Sequence, residues 1–127
     1  MSAFSAQKWE KLFQNIDLFI QGFGTTLYIV LLGLLLSLVL GAIFGVISTS
    51  HNKVLRGIAR VYVEFFQNTP LLVQIFFLYN ALPYVGVFIP VKTIGIVGVG
   101  IYHGAYMAEI VRTGIEATPK GQRDAAD

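Results

Sequence analysis

A long stretch of this chain, between Asp17 and Lys53, contains no charged side chain. Within it, residues 25–48 form a nearly continuous apolar run of 24 residues. As a helix rising about 1.5 Å per residue, this run is long enough to cross the hydrocarbon core of a bilayer. We therefore predict a membrane span at 25–48.

The composition of the whole chain agrees with a membrane protein. Only 13% of the 127 residues are charged and 55% are hydrophobic, whereas an ordinary soluble domain has about a quarter charged residues. Because too few polar side chains remain to cover a soluble globule, a soluble domain is excluded. Further apolar stretches at 59–82 and 93–115 predict two more spans, joined by a loop at 83–92 that contains two prolines. The predicted fold is an all-α integral membrane helical bundle with three transmembrane helices.

Residues 1–21 are predicted to form a separate amphipathic segment ahead of the transmembrane domain at 22–127. Its apolar side chains recur at steps of three and four residues, the period of one helix face; they are Trp9, Leu12, Phe13, Ile16 and Ile20. With Trp9 as an anchor, such a helix would lie in the headgroup region of the membrane. The alternative is a helix packed on a neighbouring helix.

Several classes of protein are excluded by what the sequence lacks. The absence of cysteine rules out disulfides, thiolate zinc sites and cysteine nucleophiles. No basic stripe with interleaved aromatic residues suggests nucleic acid, and neither a P-loop nor a nucleophile elbow is present. His51 and His103 lie on different segments, so no metal site is expected. The chain is predicted not to be an enzyme and to hold no cofactor.

Small residues recur at four-residue steps in the first and third predicted spans. Such spacing places them on one helix face, where two backbones can approach closely. The helix-packing candidates are Gly33, Ser37, Gly41 and Gly45, followed by Thr49, in the first span, and Gly100 and Gly104, followed by Ala108, in the third. We expect both faces to be helix-packing surfaces.

The orientation follows from the distribution of Lys and Arg at the ends of the spans. Six lie on the side of the loop at 49–60 and of the tail at 116–127, namely Lys53, Arg56, Arg60, Arg112, Lys120 and Arg123. Three lie on the opposite side, namely Lys8, Lys11 and Lys92. This distribution predicts an external N-terminus and a cytoplasmic C-terminus.

The second predicted span is unusually polar. Residues that would share one face of a continuous helix are Arg60, Glu64, Gln67, Asn68, Leu71 and Gln74, with Thr69 and Pro70 beside them. Polar and ionisable groups inside a membrane normally face a bundle interior or a water-filled path. Pro70 removes one helical hydrogen bond and predicts a kink. We therefore interpret Glu64, Gln67, Asn68, Thr69 and Gln74 as candidates for lining a translocation pathway.

Local pairing is the alternative interpretation for several of these groups. Glu64 can form an ion pair with Arg60 one helical turn away, and Glu109 can do so with Arg112. His103 lies beside Tyr102 and is expected to form a hydrogen bond to a neighbour rather than to relay protons.

Two longer motifs resemble those of a known family. Residues 64–74, EFFQNTPLLVQ, resemble the second-span motif of ABC-type polar amino acid permeases of the histidine, glutamine and arginine uptake group. Residues 104–112, GAYMAEIVR, and then 119–126, PKGQRDAA, resemble the third span of these permeases as it leads into the cytoplasmic EAA loop. The motifs occur in the order and spacing of the family.

The resemblance implies one subunit of an importer in the bacterial plasma (inner) membrane. Its expected partners are a second permease subunit, a cytoplasmic ABC ATP-binding subunit that uses the ATP, and an external solute-binding protein. It further implies that the EAA loop, here beginning at 116–127, couples to the ATPase through Gly121, Asp124, Ala125 and Ala126.

This sequence departs from the family pattern in a few places. Asp124 stands where the family usually has Glu, and Gln67 stands where Arg is common. Family members have a core of five spans, so the chain is expected to be the N-terminal portion of a permease that ends inside the EAA loop.

Two other functions remain open from the sequence. A small three-span accessory protein would bind a partner through its glycine faces without transporting anything. Unlike the permease interpretation, this alternative predicts that substitutions at Gly121 and Asp124 leave the function of the chain unchanged. Half of a secondary transporter is less well supported, because the three spans contain no visible inverted repeat.

Overall fold

The computed structural model describes residues 5–119, 121, 122 and 125. All regular secondary structure in this part of the chain is helical: α1 (Ala6–Gln14), α2 (Ile16–Ile47), α3 (Lys53–Gln67), α4 (Leu71–Ala81), a short 3-10 helix (Leu82–Val85) and α5 (Val91–Ala117). Helix α5 is central, because it packs against α2, α3 and α4. The all-α prediction is confirmed.

Two of the helices, α2 and α5, are long and apolar enough to cross a membrane. The segment predicted as the second span consists instead of α3 and of the continuous segment Leu71–Val85, which meet at an angle of 99°. This bent pair counts as a third span only if both parts together cross the bilayer. The structure thus contains two clear candidate spans, and the number of three remains a prediction.

Helix α2 ends where hydroxyl side chains bond to its last carbonyl groups. The Ser48 hydroxyl donates to the Phe44 carbonyl at 2.7 Å, and the Thr49 hydroxyl donates to the Val46 carbonyl at 2.8 Å. Asn52 then starts α3 as an N-cap, because its side-chain oxygen accepts the amide N–H of Val54 at 2.9 Å. The sharp connection between α2 and α3 therefore follows from the polar sequence at 48–52.

Helices α2 and α5 pack through the small residues of both. A Cβ atom on Gly33 would lie 2.8 Å from Cγ1 of Val99, and one on Gly45 would lie 2.5 Å from Cβ of Val111. Ser37 is fully buried and donates its hydroxyl to the Leu34 carbonyl of its own helix at 2.7 Å. The close approach depends on the absence of larger side chains along this face.

The same interface is tight when viewed from α5. A Cβ atom on Gly100 would overlap the Leu36 side chain, and one on Gly104 would lie 3.0 Å from Cβ of Leu40. Ala108, the next residue of the series, is fully buried. The small residues of the two helices therefore lie opposite larger side chains of the partner helix.

The N-terminal segment differs in detail from the predicted single stripe. Helix α1 ends at Gln14, and α2 begins at Ile16. Ile16 and Ile20 therefore belong to α2, whereas Trp9 and Phe13 lie on α1, with ring centroids 6.4 Å apart. The apolar side chains of α1 are exposed, and their placement at a membrane interface remains a prediction.

The predicted loop at 83–92 is shorter in the structure and partly helical. The 3-10 helix occupies its beginning, and α5 already starts at Val91. The turn between them uses Gly86 with a φ of 82°, a left-handed conformation that glycine adopts without steric cost. The amide N–H of Gly86 donates to the Pro83 carbonyl at 3.1 Å.

Candidate functional site

The feature that organises the polar residues is an elbow between α3 and α4. Helix α3 stops at Gln67, α4 starts at Leu71, and the chain turns by 99° between them. Pro70 has no N–H to continue α3, and its φ of −58° and ψ of 139° place it as the residue before the first turn of α4. The sequence QNTP therefore produces a sharp corner rather than a gentle kink.

Three backbone carbonyl groups in the last turn of α3 accept hydrogen bonds from nearby side chains. Asn68 Nδ2 donates to the Glu64 carbonyl at 2.6 Å, and the Thr69 hydroxyl donates to the Phe65 carbonyl at 2.8 Å. Gln74, one turn into α4, reaches back and donates through Nε2 to the Phe66 carbonyl at 3.4 Å and to the Thr69 carbonyl at 3.0 Å. These bonds satisfy backbone acceptors on both sides of the corner.

The elbow corrects one sequence-based expectation. The residues from Arg60 to Gln74 were predicted to share a single continuous helix face, but this prediction is wrong beyond Gln67 because α3 ends there. The Phe66 carbonyl, to which Pro70 has no N–H to donate, accepts a hydrogen bond from Nε2 of Gln74 instead. Helix propensity does not predict that α3 ends at Gln67. The corner is stabilised by hydrogen bonds from the polar side chains at 68–74, which propensity does not take into account.

Gln74 is the residue on which this corner depends most. We expect Gln74→Leu to leave the Phe66 and Thr69 carbonyls without a side-chain donor in apolar surroundings and to lower the free energy of unfolding by about 1–3 kcal/mol. The measurement is denaturant-induced unfolding of the protein in detergent micelles, followed by helical circular dichroism.

Asn80 on the same helix provides the matched control for this substitution. Its Nδ2 donates to the Phe76 carbonyl at 2.8 Å, but its side chain is exposed and lies in regular helix. Asn80→Leu is therefore expected to change stability by less than about 0.5 kcal/mol. Equal destabilisation by the two substitutions would show that Gln74 has no special role at the elbow.

A cavity of about 320 Å³ lies against the elbow, between α3, α4 and α5. Its lining is almost wholly apolar, with Phe65, Phe66 and Phe77 among its walls and Thr69 and Gln74 as its polar members. Gln74 is buried, and its Oε1 has no hydrogen-bond partner among the described residues. The elbow thus combines apolar walls with one buried acceptor, Oε1 of Gln74, that no described group satisfies.

The five pathway candidates do not form a single cluster. Glu64 is exposed and forms an ion pair with Arg60, with Nε and Oε1 3.1 Å apart. Gln67 is half-buried, and its backbone carbonyl accepts the Tyr106 hydroxyl at 3.3 Å. Asn68 is exposed, whereas Thr69 and Gln74 line the apolar cavity. Three of the five, Asn68, Thr69 and Gln74, bond to the backbone of the elbow itself.

The sequence did not point to Tyr62, which links α3 to the middle of α5 through a hydrogen bond. Its hydroxyl donates to the Ile101 carbonyl at 2.6 Å, and its ring stacks on Phe44 of α2 with centroids 4.6 Å apart. A Cβ atom at Gly104 would lie 2.7 Å from the Tyr62 hydroxyl. Gly104 therefore leaves room for both Tyr62 and Leu40, and no short-range pattern in the sequence links these residues.

A network of ion pairs connects α3 with the C-terminal end of α5. Glu109 lies at its centre and pairs with Arg112 on the same helix and with Arg60 of α3, whose Nη1 is 3.7 Å from Oε2. Arg60 also pairs with Glu64, and Arg112 Nη1 lies 2.7 Å from Oε2 of Glu116. The local pairs expected from sequence are confirmed, and the link between the two helices is an addition that only the fold reveals.

His103 forms a local hydrogen bond, as expected. Its Nδ1 is 2.9 Å from the Val99 carbonyl, and its ring meets that of Tyr102 edge to face at 5.1 Å. Within the described ranges, no group of three or more His, Asp or Glu side chains is arranged to hold a metal ion.

The residues proposed to couple to an ATPase are only partly described. Gly121 and Ala125 have helical backbone and are exposed, and among the described residues nothing would lie within 4 Å of a Cβ atom on Gly121. Asp124 and Ala126 lie outside the described residues. The Thr118 hydroxyl donates back to the Gly114 carbonyl at 3.0 Å, at the end of α5.

Comparison with known proteins places this arrangement among transport proteins. Residues 37–127 match the family described as binding-protein-dependent transport system inner membrane component. A probable amino-acid ABC transporter permease protein of Sinorhizobium fredii is 38% identical over 111 residues, which cover 87% of this chain and 48% of that protein. A putative glutamine transport system permease protein of Rickettsia prowazekii is 35% identical over 118 residues, which cover 92% of this chain and 54% of that protein.

The helical arrangement also matches a solved structure. The crystal structure of an amino acid ABC transporter with histidines contains a chain that superposes with a TM-score of 0.82 at 35% identity. The match covers 91% of this chain and 54% of that one. The chain thus spans about half the length of the relatives that it matches.

Proposed function

Because the chain belongs to the family of inner membrane components of binding-protein-dependent transport systems, we propose that it forms part of the translocation pathway of an ATP-driven importer for polar amino acids. The observation that carries the proposal is the 38% identity with a probable amino-acid ABC transporter permease over 111 residues. A relative of Corynebacterium glutamicum named as an arginine transport system permease protein is 37% identical, which supports the same substrate class.

In the proposed assembly, the chain works with a second permease subunit, a cytoplasmic ATP-binding subunit and an external solute-binding protein in the bacterial inner membrane. ATP is used by the ATP-binding subunit, and this chain holds no cofactor of its own. The N-terminus is proposed to lie outside and the C-terminus in the cytoplasm, in agreement with the excess of Lys and Arg at the end that carries the tail.

The elbow is the proposed contribution of this chain to the pathway. Glu64, Gln67, Asn68, Thr69 and Gln74 are all close to a corner where the backbone turns by 99°. Non-helical backbone at membrane depth is tolerated where it is buried in protein or lines a cavity, and discontinuous helices commonly form substrate sites in transporters. We therefore place the substrate path along the elbow and assign closure of that path to movements of α5 against it.

The segment around Gly121 is proposed to transmit the ATPase movement to α5. Gly121 is exposed and follows the end of α5 at Ala117 within about one turn, and the ion-pair network at Glu109, Arg112 and Glu116 connects that end to α3. A displacement at Gly121 would thereby reach the helix that leads into the elbow.

The test uses the full-length permease reconstituted in vesicles with its ATPase and binding protein. Gly121→Trp is expected to lower amino acid uptake by at least about tenfold while the protein remains folded, because the site has room for a side chain but the partner surface would be blocked. Uptake of radiolabelled amino acid and release of phosphate are measured on the same vesicles, and phosphate release is expected to continue without uptake.

Gly22→Trp is the matched control. Gly22 is also exposed and lies in the first part of α2, and a Cβ atom there would have no other atom within 4 Å. It is expected to leave uptake within about twofold of the original protein, as for a surface substitution away from any contact. Unchanged uptake in Gly121→Trp would contradict the coupling role of the segment around Gly121.

A further inference from the structure

A second cavity, of about 330 Å³, lies at the opposite end of α3 from the elbow. It is enclosed by the end of α2, the first two turns of α3 and the last turns of α5. The residues around it that carry the argument are Ser48, Lys53, Arg56, Arg60, Arg112 and Glu116. Four cationic side chains thus meet one carboxylate around a single concave space.

Two of the four cations are already neutralised by neighbours. Arg60 pairs with Glu64 and Glu109, and Arg112 pairs with Glu109 and Glu116. These pairs hold the two guanidinium groups in fixed positions beside the cavity. The carboxylate of Glu116 is engaged by Arg112 at 2.7 Å, which reduces its repulsion of an incoming anion.

The other two cations have no carboxylate partner among the residues that the structure describes. Lys53 forms no ion pair there, and Arg56 donates only to the Ser50 carbonyl through Nη1 at 3.3 Å. Both lie in the first turn of α3, where the helix dipole adds a partial positive charge. The cavity is therefore a local excess of positive charge that favours an anion.

The position of the cavity indicates which kind of anion can reach it. It lies at the ends of α2 and α5, the two helices long enough to cross a membrane, and thus at the level where lipid headgroups lie. Val54 and Ile58, on the same turns of α3 as the cations, are exposed at 70% and 54% and offer an apolar surface to acyl chains. Basic pockets between transmembrane helices bind anionic lipid headgroups in this way.

We propose that this cavity binds the phosphate group of an anionic phospholipid, with Lys53 and Arg56 as its principal ligands. Arginine presents several donors in a fixed fork that matches phosphate oxygens, and lysine adds a mobile point charge. The site is independent of the substrate path, because its residues do not touch the elbow cavity. A lipid in this place would join the ends of α2, α3 and α5.

The experiment is native mass spectrometry of the full chain released from detergent micelles, titrated with phosphatidylglycerol and with phosphatidylcholine of the same acyl chains. The variant K53Q/R56Q is compared with K8Q/K11Q, which removes two positive charges from α1 instead. K53Q/R56Q is expected to weaken phosphatidylglycerol binding by roughly tenfold to thirtyfold, given the usual effect of each basic residue at an anionic membrane. K8Q/K11Q is expected to change it by less than about threefold, since its residues lie outside the cavity.

Three results would overturn the proposal. They are equal losses in the two double variants, equal affinity of the original protein for the two lipids, and displacement of phosphatidylglycerol by millimolar inorganic phosphate. The last result would assign the cavity to a free anion rather than to a lipid.

If circular dichroism shows that K53Q/R56Q has lost helix, the single variant Lys53→Gln replaces it, because this exposed side chain forms no ion pair among the described residues. A loss of about threefold or more supports the proposal, and no loss rejects it.

Discussion

Replacement of Gly41 by valine is expected to separate α2 from α5 and to leave little folded protein. A Cβ atom at this position would overlap Cβ of Met107 and would lie 3.1 Å from the Met107 carbonyl carbon and 3.2 Å from the Ala108 nitrogen. Because two of these three atoms belong to the backbone of α5, a change of rotamer cannot relieve the overlap. We expect a loss of at least about 3 kcal/mol in the free energy of unfolding, at the upper end for overpacked cores.

The measurement is unfolding in detergent micelles by increasing fractions of sodium dodecyl sulfate, followed by circular dichroism. Gly24→Val is the matched control, because Gly24 lies on the same helix and a Cβ there would have no other atom within 4 Å. Stability of the control is expected to stay within about 0.5 kcal/mol of the original. Two variants of similar stability would disprove the close packing of α2 on α5 at this position.

Glu109→Gln is expected to have the largest effect among the charged residues. The carboxylate of Glu109 is shared by Arg112 of α5 and Arg60 of α3, and its side chain is only 30% exposed. Without this charge, two guanidinium groups near the helix interface lose their common partner and repel each other. We expect the free energy of unfolding to fall by about 2 kcal/mol. This is less than the 3–5 kcal/mol typical of breaking a fully buried ion pair, because the Glu109 side chain is partly exposed.

The Glu109→Gln substitution is expected to affect amino acid uptake more strongly than it affects the stability of the fold. If the network transmits movement between the end of α5 and the elbow, uptake by the full-length reconstituted permease falls by at least about tenfold. Glu109→Asp, which keeps the charge on a shorter side chain, is expected to retain an intermediate rate. Glu10→Gln on the exposed helix α1 is the charge-matched control. Full uptake by Glu109→Gln would eliminate the network from the mechanism.

The packing of α2 on α5 was the part of the fold most accessible to sequence reasoning. Glycine and serine at four-residue steps along an apolar helix are typical of close helix packing, so Gly33, Ser37, Gly41 and Gly45 indicated a contact surface before any partner was known. The same reasoning indicated Gly100 and Gly104. The pattern did not reveal which helix faces which, because the spacing is identical on both sides.

The elbow could be anticipated only in part. Pro70 predicted a kink, but proline in a membrane helix gives bends of very different size. The size of the corner depends on whether nearby side chains can bond to the carbonyls at the end of α3, and Thr69 and Gln74 do so here. Helix periodicity treats these residues as polar positions on one continuous helix. It therefore predicts a single polar face that runs across the break between α3 and α4.

Contacts between distant helices lay beyond sequence reasoning altogether. Pairs such as Glu64 with Arg60 are visible because they are one turn apart, whereas the link from Arg60 to Glu109 requires knowledge of how α3 crosses α5. The Tyr62 hydrogen bond to the Ile101 carbonyl was hidden for the same reason. The proposed function, in contrast, came from two sequence motifs whose order and spacing resemble a known family, and the family match confirms the membership.

The position of α5 has a consequence for how the protein is made. Helix α2 leaves the ribosome well before α5, yet the residues that pack on its small-residue face belong to α5, the last of the described helices to be synthesised. They include Val99, Met107 and Val111. During translation, the small-residue face of α2 therefore stays open while α3 and α4 are synthesised. Assembly of this bundle must wait for the arrival of α5, so a ribosome stalled before residue 91 would leave an inserted but unpacked intermediate that is exposed to quality-control proteases.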